Sequence, residues 1–135
     1  MHTILVVDDD DRVRHLLGRL LIQLGHHVLE AASASDALDV LDREAVDLAL
    51  VDVLMPGRDG VWLTEQILAR HPGVPVALVT GLLEMDPTVT LRPGVVGYLV
   101  KPFTRHDIER LLDEAFAAPA AARTEAIDLA TFDAM

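Results

Sequence analysis

Short apolar runs alternate along this chain with stretches of helical period. Ile4–Val7 is a compact run that ends in acid, the pattern of a buried strand. Val13, Leu16, Leu17, Leu20, Leu21 and Leu24 then recur at steps of three or one, which lays them on one face of a helix. Gly25 is placed to close that helix in a left-handed conformation. Val28–Ala31 is a second short strand. Ser33, with Asp36 three places on, resembles a capping box in which aspartate replaces the usual Glu or Gln, and the helix it opens extends to about Glu44. Leu48–Val53 is apolar on nearly every residue, as a strand buried on both faces is. Met55–Gly60, with Pro56, Gly57 and Gly60, predicts a loop, and Val61–Arg70 a helix with Leu63, Ile67 and Leu68 inward. Val76–Thr80 and Val95–Val100 are the fourth and fifth strands. Thr104 and Asp107 mark the start of a last helix that continues through Ile108, Leu111, Leu112, Ala115 and Phe116.

The repeated strand–helix order implies parallel strands joined by right-handed crossovers, with helices on both faces of the sheet. The predicted fold is a doubly wound α/β domain. One segment departs from this order. Gly81–Gly94 falls where a helix is due between the fourth and fifth strands, yet it holds Pro87, Pro93 and the β-branched Thr88, Val89 and Thr90. Asp86 as cap and Pro87 in the first turn allow a short helix of about two turns. After about Ala118 the chain turns alanine-rich and polar, so residues 1–118 are expected to form the domain and 119–135 a tail or the start of a linker.

Length and composition narrow the function. The 135 residues suit one domain, and the 51% hydrophobic content supports a sizeable core. There is no cysteine, so disulfides and thiolate metal sites are excluded. No apolar run approaches the ~18 residues of a membrane span, and the start lacks the basic and long apolar stretches of a secretory signal. A cytoplasmic location fits. The net charge of −11 disfavours direct nucleic-acid binding and suits a cation or a basic protein surface.

In an open α/β sheet, ligands bind beyond the carboxyl ends of the strands. The first strand delivers Asp8 and Asp9 there, the third Asp52, the fourth Thr80 and the fifth Lys101, followed by Pro102. Clustered carboxylates repel, and burial raises the cost of ionising them. A hard cation relieves both, and magnesium takes carboxylates while keeping positions for water and phosphate oxygens. The set therefore suits a cation plus a phosphoryl group. A carboxylate can serve as the nucleophile, with an ammonium and a hydroxyl left to meet the phosphoryl oxygens. Any one of these residues alone would be an ordinary strand-end or turn residue. Asp10 and Asp11 suit a helix N-terminus. The acidic run lacks the glycine and terminal glutamate of an EF-hand, and the six histidines lack metal-ligand spacing. Trp62 is most simply a core or partner-surface residue.

Four segments carry a family resemblance: Ile4–Asp10, Asp47–Gly60, Val76–Thr80 and Gly97–Phe103. In this order, each spanning the end of a predicted strand, they resemble the receiver domain of bacterial two-component response regulators, chemotaxis-regulator-like, over about residues 3–117. The resemblance implies a flavodoxin-like five-stranded parallel sheet in the order 2-1-3-4-5. It implies that Asp52 accepts a phosphoryl group from a histidine kinase or a histidine phosphotransfer protein. It also implies magnesium (Mg2+) held by Asp8, Asp9, Asp52 and the backbone carbonyl of Leu54. Thr80 and Lys101 would contact the phosphoryl group, the Lys101–Pro102 bond would be cis, and Thr80 with Tyr98 would form the switch, with room left by Gly81. The implied partners are the phosphodonor and a downstream protein or further effector domain, with phosphorylation-dependent dimerisation as one output.

The irregular Gly81–Gly94 segment departs from the family, whose output and dimerisation face includes the helix expected there. Leu54 and Leu82 fall at positions that help set the family's self-dephosphorylation rate. Both are apolar, which implies slow loss of phosphate. Two other functions compete with the signalling switch. A phosphorylation-independent scaffold would not need the full set of five residues. A phosphatase of related fold would commonly place a second aspartate two positions after the nucleophile, where this chain has Leu54.

Overall fold

The computed structural model describes residues 1–55, 59–81 and 94–117. In chain order the elements are β1 (Thr3–Val7), α1 (Asp11–Gln23), β2 (His27–Ala31), α2 (Ala34–Arg43), β3 (Leu48–Asp52), α3 (Gly60–Arg70), β4 (Val76–Gly81), β5 (Val95–Lys101) and α4 (Arg105–Phe116). All strand pairs are parallel, and the order is β2-β1-β3-β4-β5. The doubly wound α/β fold and its strand order are as expected. The chain moves outward from β1 to β2 on one side, then crosses to β3 on the other. The crevice between the ends of β1 and β3 is therefore the switch point.

The alternation of side chains along each strand builds two cores. Leu5, Val7, Ala49, Val51 and Leu78 point to one face, where they pack with Leu38 and Leu41 of α2 and Leu63 and Ile67 of α3. Ile4, Val6, Leu48, Leu50, Ala77 and Val79 point to the other, against Leu17 and Leu21 of α1 and Ile108, Leu111 and Leu112 of α4. Helices on both faces explain why β1, β3 and β4 are apolar at nearly every position.

The helix ends follow their capping residues. Asp10 accepts from the amides of Arg12 and Val13, Ser33 from Asp36, and Asp59 from Trp62. At α4 the capping box is complete, with Thr104 and Asp107 each accepting the other's backbone N–H. Gly25 has φ +94°, and the amide of His26 reaches back to the Leu21 carbonyl, which ends α1 in a left-handed turn.

One expectation about α1 is corrected. Leu16 does not belong to its buried face but is 52% exposed. The buried residues are Arg14, Leu17, Gly18 and Leu21, a narrower stripe rotated away from Leu16. Apolar spacing could not show this, because two of its four members are a charge and a glycine. The predicted irregular helix within Gly81–Gly94, the residues Pro56, Gly57 and Leu82, and the tail at 119–135 lie outside the described residues.

Candidate functional site

Three backbone arrangements form the site. The central strand β3 ends at Asp52, whose neighbour across the sheet is Val79. The turn after β1 carries Asp8, whose amide donates to the Ala31 carbonyl of β2 and whose Oδ1 accepts from the Asp10 amide at 2.9 Å. On the other side, the N-terminus of α3 closes tightly over the end of β3. The Gly60 amide donates to the Val53 carbonyl, and the Thr64 hydroxyl donates to the Gly60 carbonyl at 2.7 Å. A Cβ on Gly60 would collide with the Asp52 carbonyl, so only glycine permits this approach.

These arrangements bring Asp8, Asp9 and Asp52 together, with one carboxylate oxygen from each lying within 4.8 Å of the others. Asp8 and Asp52 are buried, at 2% and 3% exposure, while Asp9 is exposed. Lys101 at the end of β5 reaches in from the far side of β4. Its Nζ is 3.4 Å from Asp52 Oδ1 and 3.8 Å from Asp8 Oδ2. Burial pushes the Asp52 carboxyl up to about 6, the charge of Asp8 pushes the same way, and Lys101 partly offsets both. One ammonium against three carboxylates leaves the cluster with surplus negative charge. An oxygen-rich set of this kind fits a hard divalent cation.

The remaining predicted residues are placed less directly. Thr80 is buried at the end of β4, and its hydroxyl donates to the Gly81 carbonyl at 3.0 Å. Tyr98 is 48% exposed on β5. The strand register sets it beside Leu78, on the same face as Thr80 and two residues back along the sheet. It lines an open cleft of about 300 Å³ with Lys101, Pro102, Asp107 and Arg110. The Lys101–Pro102 peptide is cis. Leu54, two residues after Asp52, has an exposed side chain.

The chain as a whole matches a known family. A family model described as response regulator receiver domain matches residues 4–113. The chain belongs to the response regulator receiver domain family. Among curated relatives, this receiver domain is 44% identical over 101 residues to the response regulator protein FleR of Pseudomonas aeruginosa, covering 74% of this chain and 21% of that one. It is 36% identical over 113 residues to the DNA-binding transcriptional regulator NtrC of Klebsiella pneumoniae, covering 83% of this chain and 24% of that one. The chain thus spans less than a quarter of the length of either relative. Among solved structures it resembles the receiver domain of NtrX from Brucella abortus, with a TM-score of 0.80 and 30% identity over 86% of this chain and 99% of that one. It also resembles TrrA of Thermotoga maritima in complex with Mg(2+)-BeF, with a TM-score of 0.78 and 25% identity over 86% of this chain and all of that one. Receiver domains are signalling switches of two-component systems rather than turnover enzymes. No helix among the described residues is long and apolar enough to cross a membrane.

Two residues of the site were not singled out by their sequence. Gly60 counted only as a loop residue, and the need for glycine there comes from the approach of α3 to the end of β3. Arg14 sits among the hydrophobic positions of α1, yet it is buried and its guanidinium donates to the Asp8 carbonyl at 2.8 Å. Apolar spacing carried no signal for it, because Arg14 and Gly18 share the buried face with only two apolar residues, Leu17 and Leu21.

Proposed function

We propose that this receiver domain accepts a phosphoryl group on Asp52 from a phosphohistidine of a histidine kinase or phosphotransfer protein. The observation that carries the proposal is the convergence of Asp8, Asp9 and Asp52 with Lys101 at the carboxyl ends of β1, β3 and β5. Asp8 and Asp9, with Asp52 and the Leu54 carbonyl, would hold magnesium. Bound there, the ion supplies positive charge to the oxygens of the phosphoryl group and keeps Asp52 ionised.

A carboxylate oxygen of Asp52 attacks phosphorus in line with the donor nitrogen. The P–N bond breaks, a P–O bond forms, and the departing imidazole takes up a proton. Lys101, already 3.4 Å from Asp52, neutralises charge on the product acyl phosphate. Thr80 is one strand away and gains a stronger acceptor than the Gly81 carbonyl once the phosphoryl oxygens arrive. Its movement opens space that Tyr98 can fill, which turns a covalent charge into a changed β5 surface. A downstream protein or a further domain would bind that surface. The acidic chain reads phosphate state through protein contact rather than through nucleic acid.

The test is incubation with acetyl phosphate and magnesium chloride, followed by mass spectrometry. A gain of one phosphoryl group that disappears in Asp52→Asn is expected. Absence of the adduct with acetyl phosphate and with a phosphorylated histidine kinase alike would favour a phosphorylation-independent scaffold.

A further inference from the structure

We infer that Arg14 is a positioning residue for the acidic cluster: its guanidinium holds the turn between β1 and α1 in the form that presents Asp8 and Asp9 to a divalent cation. The inference rests on the cation-assisted reading above and adds a residue outside the ligand set.

Arg14 is 9% exposed, which is rare for an arginine unless its donors are matched. They are matched in three directions. Nη1 donates to the Asp8 carbonyl at 2.8 Å, Nη2 to Asp11 Oδ1 at 2.6 Å and Nε to Glu30 Oε1 at 3.0 Å. These anchors lie on the turn after β1, the first turn of α1 and strand β2. Burial works against the charge, but the bonds to Asp11 and Glu30 more than offset it and hold the group firmly protonated. Gly18, one turn further along α1, lies opposite Val28 and Glu30 of β2, where an added Cβ would meet both at ordinary van der Waals distance.

The consequence for the site is geometric. The Asp8 carbonyl is the point where the chain leaves the sheet, and Asp8, Asp9 and Asp10 follow within one turn. Asp8 Oδ1 accepts the Asp10 amide, and Asp10 caps α1. Fixing the carbonyl of Asp8 therefore fixes the direction of its carboxylate and of the next. A planar fork can satisfy three acceptors at set angles, which a lysine ammonium on a flexible stem cannot.

Charge alone predicts the opposite outcome. Arg14 is positive and close to the cluster, so removing it should tighten cation binding, and replacing it with lysine should change nothing. Positioning predicts weaker binding in both variants. The experiment is isothermal titration calorimetry with magnesium chloride, together with the rate of phosphorylation by acetyl phosphate as magnesium is varied. In Arg14→Lys we expect the half-saturating magnesium concentration to rise at least three-fold, with a near wild-type rate at saturation. Arg14→Gln should also bind more weakly than wild type. Amide hydrogen exchange at Asp9 and Asp10 should speed up in both variants without metal.

Ile67→Ala opens a cavity under the C-terminal half of α3, away from the acidic cluster, and serves as a control. It should lower stability without moving magnesium affinity. Unchanged or tighter binding in Arg14→Lys overturns the inference. If wild type binds no magnesium, the cation reading falls and this inference falls with it. If wild type binds and Arg14→Lys binds equally, only the role of Arg14 is lost. Should Arg14→Lys fail to fold, Glu30→Ala removes one anchor and is expected to raise half-saturation about two-fold, and no change there is equally fatal.

Discussion

β3 and β5 run parallel in one sheet, and each delivers one charged group to the same acidic cluster, but the two strands are built differently. β3 lies at the centre, with all five residues buried, and ends in Asp52. β5 is an edge strand. Only Leu99 along it is buried, and Tyr98 is half exposed. A central strand is held by neighbours on both sides and by helices on both faces, so its end is rigid. An edge strand has one neighbour and room to adjust. The proposed acceptor thus sits on the fixed part of the scaffold, and the proposed reporter sits on the adjustable part. An aspartate that must align with an incoming phosphorus needs the first environment. A surface that must differ between two states needs the second.

The largest effect expected from this contrast is on stability. Leu50→Ala, in the middle of β3, should cost about 3 kcal/mol or more in urea unfolding. A similar loss in a truncation of Tyr98 would erase the distinction between the strands. Gly60→Ala forces a methyl group into the Asp52 carbonyl and should cost about 2–3 kcal/mol. It should also slow acetyl phosphate labelling, because the end of β3 must shift.

A third test uses the raised pKa of Asp52, about 6 against an ordinary value of 3.8. Between these values the folded protein holds a proton that the unfolded chain has released. The stabilising contribution is therefore complete below pH 4 and is lost as pH rises through 6. Without divalent cation, Asp52→Asn should match wild type near pH 4 and exceed it by roughly 2–3 kcal/mol at pH 8. Magnesium should close that gap by stabilising wild type alone. Equal stability of the two proteins at pH 8 would mean that the cluster is not strained by its own charge.

Smaller effects belong to the rim of the site. Leu54 is exposed two residues after Asp52 and cannot orient an attacking water. Leu54→Asn should speed loss of phosphate from the acyl phosphate several-fold, about 1 kcal/mol of barrier. A decay rate no faster than wild type would show that water is positioned elsewhere. Tyr98→Ala should change stability by no more than about 0.5 kcal/mol and leave phosphoryl uptake intact. Its effect should appear in partner binding, as a loss of discrimination between phosphorylated and unphosphorylated protein.

The sequence by itself determined the strand count, the alternation of strands and helices, and the charged residues at the ends of β1, β3 and β5. It could do so because these are local matters: a doubly buried strand is apolar throughout, a helix keeps its period, and a strand ends where its apolar run meets a charge. Asp8, Asp9, Asp52 and Lys101 were legible for that reason. Tertiary structure decided what depends on contact between distant segments. It set which turn of α1 faces the sheet, and so exposed Leu16 and buried Arg14. It made Gly60 indispensable by bringing α3 against the end of β3, and it raised the pKa of Asp52 by burying it next to Asp8. Packing angles and desolvation are properties of the assembled layers, and no window of neighbouring residues contains them.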